Sequence, residues 1–534
     1  MARGHGRITR QMIRTATSAY WVLAFLGLAV LIPMASLLAV GNMPGFEPDN
    51  LMFWNSNYIR RVLLFSFWQA FLSMLISLTL ALLVARSITM RGDFPLRSLL
   101  LKLFGLPLVI PSIVAVMGVV SVYGANGWIP LGRSLYGLNG ILIAHVFFNL
   151  PLAVRLLLPV WQSIPQHYWQ LADQLQFNSW QRWRHIEWPT LRENLPGVGL
   201  LIFMLCLTSF AVVLTLGGGP KSSTLEVAIY QSLRFDFDPT QAVILALLQL
   251  SLCLVVAFIG LSLHKFPEVE ISISLSQHKG SNQHKFFHNS VILCAAIFIG
   301  TPLLAMIIDA LRGPIVDVIS DSKLWKAAAY TLMIGLSAAF FSVLAGWLLL
   351  RSSSEMANQG KTRQAKWIEL TGSVVYVVPP LVLGTGYFVL LAPLVNVFDW
   401  VFPIVILVNS MMGLPFVIKV LSPVMRKNQM KYQNLCHSLA LNGWNKWRWV
   451  DWPLLRRPLG LAAALVAAMA MGDLGVIALF GSVDTTTLPL LLYQQLGAYR
   501  ISQAAVSAVF LLLLCLLVFW SLERGLGGRD NVKG

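Results

Sequence analysis

The sequence predicts an all-α polytopic membrane protein, with about 12 transmembrane helices in two parallel six-helix repeats. Three observations predict it. Hydrophobic residues make up 57% of the chain and charged residues 11%, against roughly 25% charged in a soluble domain. Apolar runs of about 20 residues, the length that crosses a hydrocarbon core of roughly 30 Å, recur along the whole chain. The sequence also repeats itself: a shift of 264 residues places Pro151 on Pro415, Trp180 on Trp444, Trp183 on Trp447, Trp188 on Trp452 and Pro189 on Pro453, without a gap.

The runs fall near 20–41, 62–85, 99–121, 138–160, 196–216 and 240–263, then 289–311, 325–350, 368–391, 401–424, 458–480 and 502–522. The first follows Arg3, Arg7, Arg10 and Arg14. Its apolar part is longer than a signal peptide's and lacks a small-residue exit, so it reads as a retained span. An even number of spans per half returns the chain to its starting side, which makes the repeats parallel rather than inverted. Residues 1–263 form the first repeat, 264–288 a polar cytoplasmic linker and 289–534 the second repeat.

The formal charge of +17 raises the question of nucleic acid. The basic residues lie instead in short alternate loops, such as Arg86 to Lys102, Arg182 to Arg192, Arg351 to Lys366 and Arg426 to Arg457. That is the positive-inside pattern of a membrane protein in a lipid bilayer. No nucleic-acid partner is expected, and both termini are assigned to the cytoplasm. The five cysteines lack metal-type spacing, so neither disulfides nor a metal site is expected. His284 and His288 in the linker have helical ligand spacing but no acidic or Cys company; a solvated connector is the better reading.

Between the fourth and fifth spans of each half lies a repeated segment, residues 164–197 and 428–460. Each reads as short helix, turn, short helix. Asn178-Ser179 and Asn442-Gly443 supply turn and N-cap chemistry, and Pro189 and Pro453 are expected to end the second helix. Trp180, Trp183 and Ile186 sit three apart and should share a face, as should Trp444, Trp447 and Val450. Two interfacial helices lying on headgroups would use similar residues. Repetition of the whole unit on one membrane side argues instead for two docking surfaces and a two-fold partner.

The segment resembles the cytoplasmic coupling loop of binding-protein-dependent ABC importer permeases, a pattern of Glu-Ala-Ala, three residues, Gly, nine residues and Ile-x-Leu-Pro. Ala172, Ile186 and Pro189 match in the first copy, and Val450 and Pro453 in the second. Gln170 and Asn434 replace the Glu, and Gln176 and Ala440 replace the Gly. The coupling segments so defined carry Gln170, Ala172, Asp173, Trp180, Trp183, Ile186 and Pro189, then Asn434, His437, Trp444, Trp447, Val450 and Pro453.

A longer resemblance rests on "GILIAHVFFNLPLAVRLLLP" (140–159), "LIFMLCLTSFAVVLTLGGGP" (201–220), "TLEVAIYQSLRFDFDP" (224–239), "GDLGVIALFG" (472–481) and "TLPLLLYQQLGAYR" (487–500). These are similar to the fused two-half permeases of bacterial thiamine and thiamine pyrophosphate importers, with a type I ABC importer fold. The resemblance implies a multi-pass protein of the bacterial inner membrane. It also implies two copies of an ATP-binding ABC subunit beneath the chain and a periplasmic thiamine-binding protein above. The expected function is translocation of thiamine, and of thiamine phosphates, by alternating access. A fused permease for ferric iron or another small solute would share the scaffold. An ion-coupled secondary transporter would share the span count, but it would need several midplane ionisable groups.

The chain is not expected to be an enzyme or to hold a cofactor. In "GGGPKSS" (217–223) the phosphate-loop signature fails, because Pro220 and Thr215 stand where glycines are required. Asp473, inside span eleven and matched by Ser209 in the first half, is the ionisable residue most open to a path role. It could favour a cation such as thiazolium or simply bond a neighbouring helix. Tyr230 and Tyr499, near the outer ends, could add cation–π attraction or simply belong to the aromatic belt at the interface. His145 reads as a satisfied interior histidine.

Overall fold

The structure, a computed structural model, describes residues 2–38, 57–92, 94–131, 135–262, 285–358, 360–374, 377–439, 441, 443–482 and 484–527. Among them nine helices are long and apolar enough to cross a bilayer, or ten if Ser179–Leu191 and Leu195–Leu207, which meet at 63°, form one bent span. The count is below twelve because proline interrupts two of the apolar runs. The third is split into Arg97–Leu103, a turn at Leu106–Leu108 and Ser112–Tyr123, with Pro107 and Pro111 at the breaks. The ninth is split into Thr362–Val374 and Pro380–Leu391 at Pro379-Pro380. Proline removes an amide donor and disfavours helix in the residue before it. Other helices retain proline inside them, such as Leu138–Gln162 with Pro151 and Pro159, each giving up one intrahelical amide donor.

Each half lends its first helix to the other. Ala2–Leu38 packs on Ser322–Asn358 and Pro380–Leu391, while Lys285–Arg312 packs on Asn57–Arg91 and Ser112–Tyr123. Two crossings of the same design fix this exchange. Pro302 lies on Gly118, so close that an added Cβ would stand 2.8 Å from the Pro302 carbonyl oxygen; Pro33 lies on Gly386, where the distance would be 2.7 Å. Small residues let helix backbones approach in this way. The second crossing is also hydrogen-bonded: the Tyr387 hydroxyl donates to the Ala29 carbonyl at 2.7 Å and Ser36 Oγ donates to the Gly386 carbonyl at 3.0 Å.

Another matched pair starts the short helices Leu225–Arg234 and Leu488–Gly497. The first amides of a helix have no partner within it. Ser66 Oγ accepts from Leu225 N at 2.9 Å in one half, and Thr331 Oγ1 accepts from Leu488 N at 2.9 Å in the other. Neither buried hydroxyl was conspicuous in the sequence, because each is separated from its partner by more than 150 residues.

Helix Lys285–Arg312 begins inside the expected linker 264–288, and residues 264–284, His284 among them, lie outside the described residues. His288 is 9% exposed, with Nδ1 3.1 Å from Ser87 Oγ. That contact ties the second half's first helix to the first half. His145 is buried against Ser73 Oγ at 2.9 Å.

Candidate functional site

The two repeated segments, residues 164–197 and 428–460, are the first and second levers; the first is built from its breaks. Pro165 precedes a short helix, Gln166–Gln174, which closes with Gln176 in the left-handed region at φ 52°. Phe177 N bonds back to the Ala172 carbonyl at 2.9 Å and Gln176 N to Asp173 at 3.1 Å, the closure that glycine usually provides. Gln176→Gly is therefore expected to stabilise the lever by about 1 kcal/mol, since only a residue with Cβ is penalised there. The check is a higher thermal midpoint in detergent; an unchanged or lower one would mean that the Gln176 side chain supports the turn. Asn178 and Gln181 then form a reciprocal capping box around the start of Ser179–Arg182.

A π-turn follows, Trp183–Glu187, and the second copy has its own at Trp447–Asp451. The expectation that Pro189 and Pro453 end the helix is corrected here. Each proline sits in the first turn of a helix that continues, Trp188–Leu191 and Trp452–Met471. The π-turn resets the hydrogen-bond ladder just before it, and first-turn amides need no intrahelical partner.

The two levers differ in how they join their spans. In the first, Pro165 separates lever from span and the exit is bent by 63°. In the second, residue 429 is Gln and the helix Val401–Ser438 runs from span into lever without a break. The closing turn is retained, with Leu441 N bonding the Cys436 carbonyl at 2.9 Å. Ala440 and the His437 side chain lie outside the described residues.

The shared face expected of Trp180, Trp183 and Ile186 is split. Trp183 and Ile186 pack on the core, while Trp180 is 65% exposed. The π-turn that starts at Trp183 changes the angular step, so residues three apart no longer superpose. Trp183 lies between Trp161 and Trp188, with the Arg86 guanidinium over its ring. In the second lever Trp444 is exposed and stacks on Trp447, which also meets Trp452; Val450 is half-buried. Ala172 is buried, and Gln170 and Asn434 are exposed. Asp173 pairs with Arg182 at 3.0 Å.

The most exposed apolar groups on the first lever helix escaped notice in the sequence. Leu171 and Leu175 are 51% and 57% exposed, and their counterparts Leu435 and Leu439 are 49% and 59% exposed. The shift of 264 places leucine on leucine at both positions, a match that is legible in the repeat. Two leucines four apart, solvent-facing and duplicated, form a pair of apolar knobs.

At the centre, spans five and eleven both break, at Ser209 between Leu195–Leu207 and Phe210–Leu216, and at Asp473 between Trp452–Met471 and Gly475–Phe480. Asp473 Oδ1 accepts from Gly475 N at 3.0 Å and Oδ2 accepts from Asn409 Nδ2 at 3.1 Å. Glu226, 1% exposed and not singled out in the sequence, comes from the other half into electrostatic contact with Asp473. Its Oε1 lies 3.4 Å from Gln249 Nε2. Among the described residues neither carboxylate is ion-paired with a base.

Tyr230 packs edge-on against Phe210 at 5.4 Å and against Phe235 at 5.7 Å, with Tyr493 nearby. Tyr493 is its counterpart at a shift of 263, one less than the lever shift. The structure does not bring Tyr499 there; it is 87% exposed, with no side-chain contact to this cluster among the described residues. Arg234 crosses between the halves to donate to the Gly481 carbonyl at 2.6 Å.

A helical bundle of this kind, with broken central spans and two outlying levers of one design, defines a polytopic membrane permease. The family model "Binding-protein-dependent transport system inner membrane component" matches residues 77–265. The chain is 42% identical over 487 residues, 89% of each chain, to the thiamine transport system permease protein ThiP of Brucella abortus (strain 2308). It is 41% identical over 518 residues to that of Escherichia coli (strain K12), covering 95% of this chain and 96% of the other. The chain belongs to the family of thiamine transport system permease proteins, multi-pass components of the inner membrane. A half-sized relative, the sulfate transport system permease protein CysW of Synechocystis sp., is 27% identical over 237 residues, 42% of this chain and 85% of its own length.

Proposed function

We propose that the chain is the permease of an ATP-driven importer that carries thiamine, and its phosphate esters, from a periplasmic binding protein into the cytoplasm. The observation that carries this reading is likeness along 89–95% of the chain to permeases named for thiamine. Two copies of an ATP-binding subunit dock on the levers, one on Leu171 and Leu175 and one on Leu435 and Leu439. Their motion rocks residues 1–263 against 289–534 between outward and inward access, with both chain termini in the cytoplasm. The matched Pro–Gly crossings and the matched Ser66 and Thr331 caps support the two-repeat reading. The half-sized sulfate permease supports it as well. ATP hydrolysis belongs to the partner subunits.

Reconstitution with the ATPase and binding protein tests the proposal. Labelled thiamine should enter proteoliposomes only when ATP is present on the lever side. Uptake by the chain alone, driven by an ion gradient, would overturn it.

For the cargo, Asp473 and Glu226 place two carboxyl groups between the halves and Tyr230 with Tyr493 supplies ring faces. A permanent cation such as thiazolium suits such a site, because buried carboxylates without a counter-charge are costly. Asp473→Asn is expected to raise the KM for thiamine about ten-fold, the equivalent of roughly 1.4 kcal/mol. An unchanged KM would leave Asp473 with the role of bonding Asn409 and capping the helix that follows it.

A further inference from the structure

Glu187 is the most deeply placed charge of the first lever. It is 0% exposed, and three donors from two elements meet its carboxylate. From helix Asn57–Arg91, Arg86 Nε donates to Oε2 at 2.8 Å and Arg86 Nη2 to Oε1 at 2.9 Å. From helix Leu138–Gln162, Trp161 Nε1 donates to Oε2 at 3.1 Å. Arg86 Nη2 also reaches the Ser179 carbonyl, at the start of the lever's second helix, at 3.3 Å. Bidentate Arg–carboxylate pairs are both strong and directional. Lever, span two and span four are thereby joined at a single buried group.

The second lever is joined differently. The counterpart of Glu187 is Asp451, one methylene shorter; the counterpart of Trp161 is Met425, which has no donor. The counterpart of Arg86, at a shift of 265, is Arg351. It lies in electrostatic reach of Asp451, but its Nε donates to Glu355 on its own helix at 3.4 Å. Among the described residues no hydrogen bond joins Asp451 to the second half's spans. That lever is continuous with span ten through the backbone of Val401–Ser438 instead.

We infer that Glu187 is a positioning residue that transmits the first lever's displacement to spans two and four, a role that Asp451 does not share. A continuous helix does this work in the second lever, whereas the helix of the first is interrupted at Pro165 and the side-chain joint takes over part of it. A buried ion pair transmits motion only while both partners hold; removal of one leaves an uncompensated charge and a slack joint. This inference rests on the ATP-driven reading of the permease.

The test is the ratio of ATP hydrolysed to thiamine delivered, measured on the complete complex in proteoliposomes with loaded binding protein. Glu187→Gln should retain hydrolysis yet raise the ratio by at least about ten-fold, because the charge that locks Arg86 is gone. Asp451→Asn should leave the ratio within about two-fold, as expected for a loosely held pair. Trp161→Phe, which removes one donor and keeps the ion pair, should raise the ratio by an intermediate factor and serves where Glu187→Gln does not assemble. The exchanged pair Arg86→Glu with Glu187→Arg should lower the ratio again relative to Glu187→Gln, a rescue that lost packing would not show. An unchanged ratio in Glu187→Gln or Trp161→Phe, or an equal rise in Asp451→Asn, would overturn the inference. Absence of ATP-driven uptake in the unaltered complex would instead overturn the functional reading beneath it.

Discussion

Replacing Leu171 and Leu435 together by aspartate is expected to abolish ATP-driven uptake while the chain still inserts and folds. Both side chains are about half exposed, at 51% and 49%, so neither supports the bundle and the folded chain loses little. Covering a leucine with a partner is worth roughly 1.5–3 kcal/mol at each lever. Placing an unpaired carboxylate in the same apolar contact adds a desolvation cost of at least a few kcal/mol. At each lever the loss is at least about 3.5 kcal/mol, which lowers occupancy by the ATPase docked there by more than about two orders of magnitude. The measurement is co-purification of the ATP-binding subunit together with uptake in vesicles. Normal uptake would show that these leucines are not the docking knobs. Charged replacements at Trp183 are a poorer probe, because Trp183 packs on Trp161 and under Arg86, and loss of activity would then report a damaged joint.

Gly118→Val combined with Gly386→Val is expected to prevent the exchange of first helices between the halves. At both crossings the new Cβ would meet a backbone carbonyl, 2.8 Å and 2.7 Å away, and a helix backbone cannot swing aside as a side chain can. Overpacking of this kind costs about 1–3 kcal/mol per site. The two sites share no side chains, so their effects should add. The expected result is a sharp fall in purified yield and in the thermal midpoint, with each single substitution giving about half the loss. A double variant as stable as the parent would mean that the Pro33 and Pro302 crossings contribute nothing to holding the halves together.

The span pattern and the levers were legible because their signals are local. Apolar runs mark the spans, and tryptophans with proline mark the repeated segments. What was not legible depends on distant partners. Glu187 reads as one carboxylate in a basic loop until Arg86, 101 residues earlier, folds onto it. Glu226 looks like an outer-loop acid until its helix turns inward toward Asp473 from the opposite half. The reciprocal crossings join residues such as Ser36 and Gly386, 350 apart, and no periodicity reports such a pairing. The prolines misled in a specific way. Proline reads as a stop, yet at Pro189 and Pro453 a preceding π-turn lets the helix continue, while at Pro107, Pro111 and Pro379 it breaks the run. Tyr499 stands out by its place near an outer end, whereas the repeat, read at a shift of 263 rather than 264, matches Tyr230 with Tyr493.

The central claim is that two levers of one design hang from parallel halves on the same membrane face. Gln170 and Asn434 are matched by the repeat and exposed in both levers, so cysteine can be placed at each without disturbing packing. With the native cysteines replaced, Cys294 above all because it is exposed, a membrane-impermeant maleimide should label Gln170→Cys and Asn434→Cys in inverted vesicles and neither in right-side-out ones. Labelling of the two positions from opposite faces would contradict the parallel repeat and the mechanism built on it.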